Sequence, residues 1–191
     1  MAQKGWLIQL DKCTGCESCT IACKSENNTY PLFSPMITEE GIPTHTSWRW
    51  VIFKDSGTYP NVKKRFVTSA CNHCQHPACL ASCPVDAISK RSADGIVLID
   101  QDKCIGCRYC EWACPYGVPQ YNANTKKVEK CTFCVHRIDA GLKPACETTC
   151  TGRALHSEDF NISNSGQNKP DGFPDPSYTH PATRFEATTL P

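Results

Sequence analysis

The stretch Cys104-Ile105-Gly106-Cys107-Arg108-Tyr109-Cys110-Glu111-Trp112-Ala113-Cys114-Pro115 holds three cysteines spaced by two residues, a fourth after three more, and then a proline. Moving outward, the same spacing occurs once more, at Cys13, Cys16, Cys19 and Cys23. Two looser groups complete the pattern. One is Cys71, Cys74, Cys79 and Cys83, followed by Pro84; the other is Cys131, Cys134, Cys146 and Cys150. These four groups use all sixteen cysteines of the 191-residue chain.

That spacing has a specific chemical meaning. A 4Fe–4S cube needs one thiolate on each iron, and three cysteines spaced by two residues wrap one loop around three of them. The fourth is expected to begin a short helix and point away. In two-cluster bacterial ferredoxins, whose spacing groups one and three share, it ligates the neighbouring cluster. Zinc sites also use CxxC pairs, but they fold two pairs into one tetrahedron, and repeated four-cysteine runs would be an odd zinc design. Disulfide scaffolds of this cysteine density belong to secreted chains. The stretch from Met1 to Asp11 shows neither an apolar leader nor a twin arginine, so thiols made in a reducing cytosol are expected, with export beside a signal-bearing partner compatible. The cofactors expected are four 4Fe–4S clusters.

Net charge is +1, which gives no reason to expect nucleic acid or an anionic membrane as partner. No apolar run approaches the ~20 residues that span a bilayer.

The chain repeats internally. Asp11-Lys12-Cys13-Thr14-Gly15-Cys16 returns as Asp102-Lys103-Cys104-Ile105-Gly106-Cys107, and groups two and four both close with Pro-Ala-Cys-x3-Cys. A strand is expected before each ferredoxin-type loop, over 6–10 and 95–100. Gly15 and Gly106 mark tight turns whose N–H groups face cluster sulfurs. Groups two and three are separated only by residues 84–103, which read as a hairpin over 87–91 and 96–99, so they pair locally and groups one and four pair across the whole chain. Exchange of fourth cysteines then gives the ligand sets. The inner ones are Cys71, Cys74, Cys79 with Cys114, and Cys104, Cys107, Cys110 with Cys83. The outer ones are Cys13, Cys16, Cys19 with Cys150, and Cys131, Cys134, Cys146 with Cys23.

The fold expected is α+β and loop-rich: two nested bacterial-ferredoxin-like modules with a β-hairpin insertion and an extended C-terminal tail. Residues 1–30 plus 125–160 form the outer module, 31–69 the hairpin insertion, 70–124 the inner module and 161–191 the tail. In the insertion, 47–54 and 62–69 read as strands that cap an outer cluster; a partner-docking arm using Trp48 and Trp50 is the sharper alternative. The tail is rich in Asn, Ser, Gly and Pro. It cannot bury a core alone, so it reads as either a floppy tail or an extended arm along a neighbour, with Phe173, Tyr178 and Phe185 favouring the arm. Tyr109, Trp112 and Tyr116 are expected to shield the middle clusters. Lys12, Lys103 and Arg108 are expected to tune them by charge, and His73, His76 and His136 to pack or hydrogen-bond rather than ligate. No GxGxxG, Walker loop or HExxH is present, so no catalytic residue is expected.

The sequence resembles the four-cluster iron–sulfur subunits of molybdenum or tungsten bis-pterin oxidoreductases, of the dimethyl sulfoxide or polysulfide reductase type. Cys71-Asn72-His73-Cys74, Cys104 to Cys110, Ala113-Cys114-Pro115-Tyr116-Gly117 and Lys130-Cys131-Thr132-Phe133-Cys134 with His136-Arg137 carry the likeness. The resemblance implies an electron relay that is not catalytic alone. It also implies a large bis-pterin catalytic partner and a membrane subunit exchanging electrons with quinone. A relay in a tungsten aldehyde oxidoreductase or hydrogenase, or a free polyferredoxin, is the alternative. Thr151 stands where many relatives have proline, and the loop of residues 32–47 and the tail after Phe160 match nothing in the family.

Overall fold

The computed structural model describes residues 3–29 and 46–186; most of the 32–47 loop and the last five residues of the tail lie outside them. The first strand, β1 (Lys4–Gln9), buries Gly5, Trp6 and Ile8. It carries β8 (Leu155–Asp159) antiparallel on one edge and β9 (Thr183–Glu186) parallel on the other. The start of the chain is therefore sealed by its last third. Trp6 stacks on Phe133 at 4.2 Å and donates its indole N–H to the Cys71 carbonyl at 3.2 Å. Aromatics of this size bury on the order of 150–250 Å² each, and Trp6, Phe133 and Phe185 are among the largest side chains of the core.

β2 (Arg49–Ser56) and β3 (Lys63–Ala70) form an antiparallel hairpin with Arg49 opposite Ala70 and Val51 opposite Thr68. Its base is buried and its tip exposed. Trp50 is 3% exposed and Trp48 half-buried, so Trp50 is core rather than a docking surface. β4 (Ile88–Lys90) pairs with β5 (Val97–Ile99) across a turn in which Gly95 has φ +71°. β6 (Gln120–Asn122) pairs with β7 (Lys127–Glu129).

Five helices accompany these strands among the described residues. They are α1 (Ser18–Asn27), α2 (Ala78–Ala81), α3 (Tyr109–Ala113), α4 (Val135–Asp139) and α5 (Ala145–Thr148). The third cysteine of each group lies on a helix: Cys19, Cys79, Cys110 and Cys146; the fourth follows the helix in three groups, while Cys23 still lies within α1. The reason is geometric. Four residues of helix rise about 6 Å, so a helix begun at the third cysteine delivers the fourth one turn further on. α1 packs against α5 and α2 against α3.

The described part of the stretch after residue 160 packs on the chain's own core. It loops back through two 3₁₀ turns, sets Phe173 5.1 Å from both Tyr116 and Phe185, and ends as β9. Its polar composition hides this because only a few residues, Phe185 at 2% exposure among them, enter the core.

Candidate metal centres

All sixteen cysteines are free thiols, and the fold gathers them into four cavities. One is lined by Cys71, Cys74, Cys79 and Cys114. A second is lined by Cys83, Cys104, Cys107 and Cys110. A third takes Cys13, Cys16, Cys19 and Cys150. The fourth takes Cys23, Cys131, Cys134 and Cys146. Each cavity draws three thiols from one group and one from another. Among the described residues, no three His, Cys, Asp or Glu side chains close on a single metal ion. The thiols stand around a space rather than a point, which suits a multi-iron core and not a lone tetrahedral zinc.

The surroundings suit such a core as well. Backbone N–H groups of Ala87, Val128, Phe133 and Ala154 donate to the sulfurs of Cys83, Cys104, Cys131 and Cys150 at 3.2–3.5 Å. Donors of this kind stabilise charge on ligating sulfur. Gly15 and Gly106 have φ +69° and +71°. At Gly106 a Cβ would meet the Lys126 carbonyl oxygen at 2.2 Å, so the turn admits glycine alone. Burial pushes the Cys74, Cys79 and Cys131 thiols up to about 12 and Cys146 up to about 11. These thiols hold their protons until metal displaces them. Cys16 goes the other way, to about 6, chiefly through Ser18. Its sulfur also lies 3.6 Å from Thr151 Oγ1, a contact that proline at that place could not make.

The cavities adjoin one another in the order third, fourth, first, second: Cys19 of the third lies within electrostatic reach of Cys146 of the fourth, Cys131 of the fourth of Cys71 of the first, and Cys79 of the first of Cys110 of the second. The fourth cavity is the most enclosed, with all its thiols buried, while the third holds the exposed Cys16.

The flanking residues divide. His73 is buried and accepts the Val97 N–H at 3.0 Å. His136 bonds Glu26 at 2.8 Å, and His76 lies edge-on to His180 at 5.3 Å. Tyr116 is half-buried and bonds Thr179 at 2.9 Å. Tyr109 and Trp112 do not shield the site: they are 52% and 71% exposed and lie near each other at 5.9 Å on the outer side of α3. Arg108 is engaged by Glu111 at 2.7 Å, which neutralises much of its charge locally. The cations that sit deepest are others: Lys24, fully buried, follows Cys23, Lys130 precedes Cys131, and Arg49 is remote in sequence from every cysteine. Lys130 is 3% exposed, lines the first cavity and donates to the Val97 and Cys131 carbonyls. Arg49 is 1% exposed. Its signal was present as a charge two residues before Val51, on the same strand face as that buried side chain.

A protein that folds around four such adjoining thiol cavities is a multi-cluster ferredoxin-type protein. A 4Fe–4S dicluster domain model matches residues 62–160. The sequence is 40% identical over 177 residues to the B subunit of sulfite dehydrogenase from Allochromatium vinosum, covering 85% of this chain and 73% of that protein. It is 42% identical over 154 residues to the B component of anaerobic dimethyl sulfoxide reductase from Escherichia coli, covering 80% and 72%. The B subunit of tetrathionate reductase from Salmonella typhimurium is 42% identical over 148 residues, covering 78% and 54%. The protein belongs to this family, the iron–sulfur subunits of molybdopterin oxidoreductases, and its cofactors are four 4Fe–4S clusters.

Proposed function

We propose that this chain relays electrons through its four clusters, between a large Mo- or W-bis-pterin catalytic subunit and a quinone-linked membrane subunit, and is not catalytic alone. The observation that carries this reading is the series of four adjoining four-thiol cavities. The order is Cys13/Cys16/Cys19/Cys150, then Cys23/Cys131/Cys134/Cys146, then Cys71/Cys74/Cys79/Cys114, then Cys83/Cys104/Cys107/Cys110. These are the ligand sets we assign. A bound cluster supplies one reversible one-electron step. The chain's own residues hold that step in place: thiolates anchor it, backbone N–H groups offset its charge, and Trp6 and Phe133 keep water from the middle of the series.

The two terminal cavities expose more of their thiols than the enclosed fourth cavity, so electrons enter and leave at the ends. Among the described residues, no helix is long and apolar enough to cross a membrane; attachment to one runs through a partner. Division into an inner module at 70–124 and an outer one at 1–30 plus 125–160 agrees with the packing of α2 on α3 and α1 on α5. Purification of the native complex tests the reading. It should yield a large pterin-bearing subunit and about sixteen irons on this chain, four per cluster. A preparation with full iron and no such subunit would sink it.

A further inference from the structure

Arg49 opens β2 and turns its guanidinium into the protein between two of the cavities. On one side, its Nη1 donates to Thr68 Oγ1 at 2.9 Å. Thr68 lines the cavity of Cys13, Cys16, Cys19 and Cys150, and its hydroxyl lies 3.6 Å from Cys19 Sγ. With the oxygen accepting from arginine, the hydroxyl proton is free to go to that sulfur. On the other side, the guanidinium carbon sits 4.5 Å over the Trp6 ring, and Trp6 lines the cavity of Cys23, Cys131, Cys134 and Cys146. The charge acts on Cys146, Cys19, Cys131 and Cys23, thiols from both cavities.

This cation lacks an ordinary partner. Nε and Nη2 are buried with no oxygen or nitrogen acceptor, the guanidinium instead facing the Cys146 sulfur, and among the described residues no carboxylate pairs with it. An unpaired buried charge costs several kcal/mol, so the fold keeps Arg49 there for a counter-charge that protein atoms do not provide. Two thiolate-ligated clusters, one on each side, are that counter-charge.

Resting on the ligand sets assigned above, we propose that Arg49 is a shared potential-setting residue: one buried cation that raises the reduction potentials of the two outer clusters together and leaves the inner two alone. Reduction adds an electron to an already anionic group. A fixed positive charge beside it therefore favours the reduced form, and low-dielectric surroundings strengthen the effect. Because arginine stays protonated throughout the working pH range, the bias does not vary with pH.

The test is a redox titration of the purified complex, followed by electron paramagnetic resonance, for wild type, Arg49→Gln and Arg49→Lys. The outer steps are assigned by separate Cys13→Ser and Cys134→Ser variants. In Arg49→Gln both outer steps should become about tenfold harder to reduce, about 59 mV for a one-electron couple, while the inner steps hold. Arg49→Lys should restore both outer steps. Unmoved outer steps, four steps moving together, or failure of lysine to restore would each overturn the proposal. If Arg49→Gln fails to keep its iron, Arg49→Met decides, since an apolar side chain of similar length removes the charge and leaves no buried polar group unpaired. Both outer steps should again become harder to reduce together, and an unmoved pair overturns the proposal. A wild-type protein without four clusters would instead defeat the ligand assignment itself.

Discussion

At the scale of single residues, the thiol sets make a sharp prediction. Cys114 belongs by sequence to the third group, yet it lines the cavity of Cys71, Cys74 and Cys79. Cys114→Ala should therefore damage the cluster held by the second group and spare that of its own. Spectroscopy showing loss of the third-group cluster alone would refute the exchange. This much was legible in the sequence, because spacing within a loop is local and the x3 step carries the fourth thiol away from its neighbours. The residues around the thiols were less legible. Lys12, Lys103 and Arg108 stand beside ligands in sequence, but Arg108 is satisfied by Glu111 and Lys103 lies 3.9 Å from Asp100 at the surface. Arg49 stands 22 positions or more from any cysteine in sequence and touches two cavities in space. Burial and partner are tertiary facts, and no spacing rule reports them.

At the scale of elements, β9 is the instructive case. The composition of residues 161–186 is that of a chain unable to build its own core, and by itself it could not. It is ordered by docking onto β1, where Phe185 meets Phe173 and the Thr183 hydroxyl donates to the Asn72 side chain at 2.8 Å. Phe185→Ala should remove about 3–5 kcal/mol of stability. At a fixed scan rate this appears as a lower thermal midpoint of the purified protein and faster bleaching of the clusters. An unchanged midpoint would mean that β9 is ornamental to the sheet. By contrast, the hairpin of 87–99 was legible because its strands are neighbours in sequence and a turn with Gly95 joins them. The pairing of β1 with β8 and β9 joins residues about 150 or more positions apart, which periodicity cannot name.

At the scale of the whole molecule, the secondary structure is too short to stand alone. Four of the five described helices have four or five residues, far below the ~12–15 at which an isolated helix is even marginal. Most sheets are two-stranded. Ion pairs stitch the parts together, as Glu26 does with His136 and Arg137, and Arg91 with Asp139, but exposed pairs contribute at most about 1 kcal/mol each. The clusters must carry the fold. Stripping the iron with a chelator should expand the protein and abolish its near-UV circular dichroism, because metal binding and folding are one equilibrium. Acid should do the same: protons compete for thiols that burial already holds near 11–12, so iron retention weakens as pH falls. A compact, structured iron-free chain would contradict this.

The closure of β1 by β8 and β9 also orders events in time. A ribosome has delivered the thiols of both inner clusters once it passes residue 114. Cys13, Cys16 and Cys19 are made first of all, but Cys150, the fourth ligand we assign to them, emerges more than 120 residues later, and β9 comes later still. The earliest metal site of the chain is thus among the last that biogenesis can complete, and the machinery that loads iron must meet an open N-terminal loop and wait for the chain to return to it.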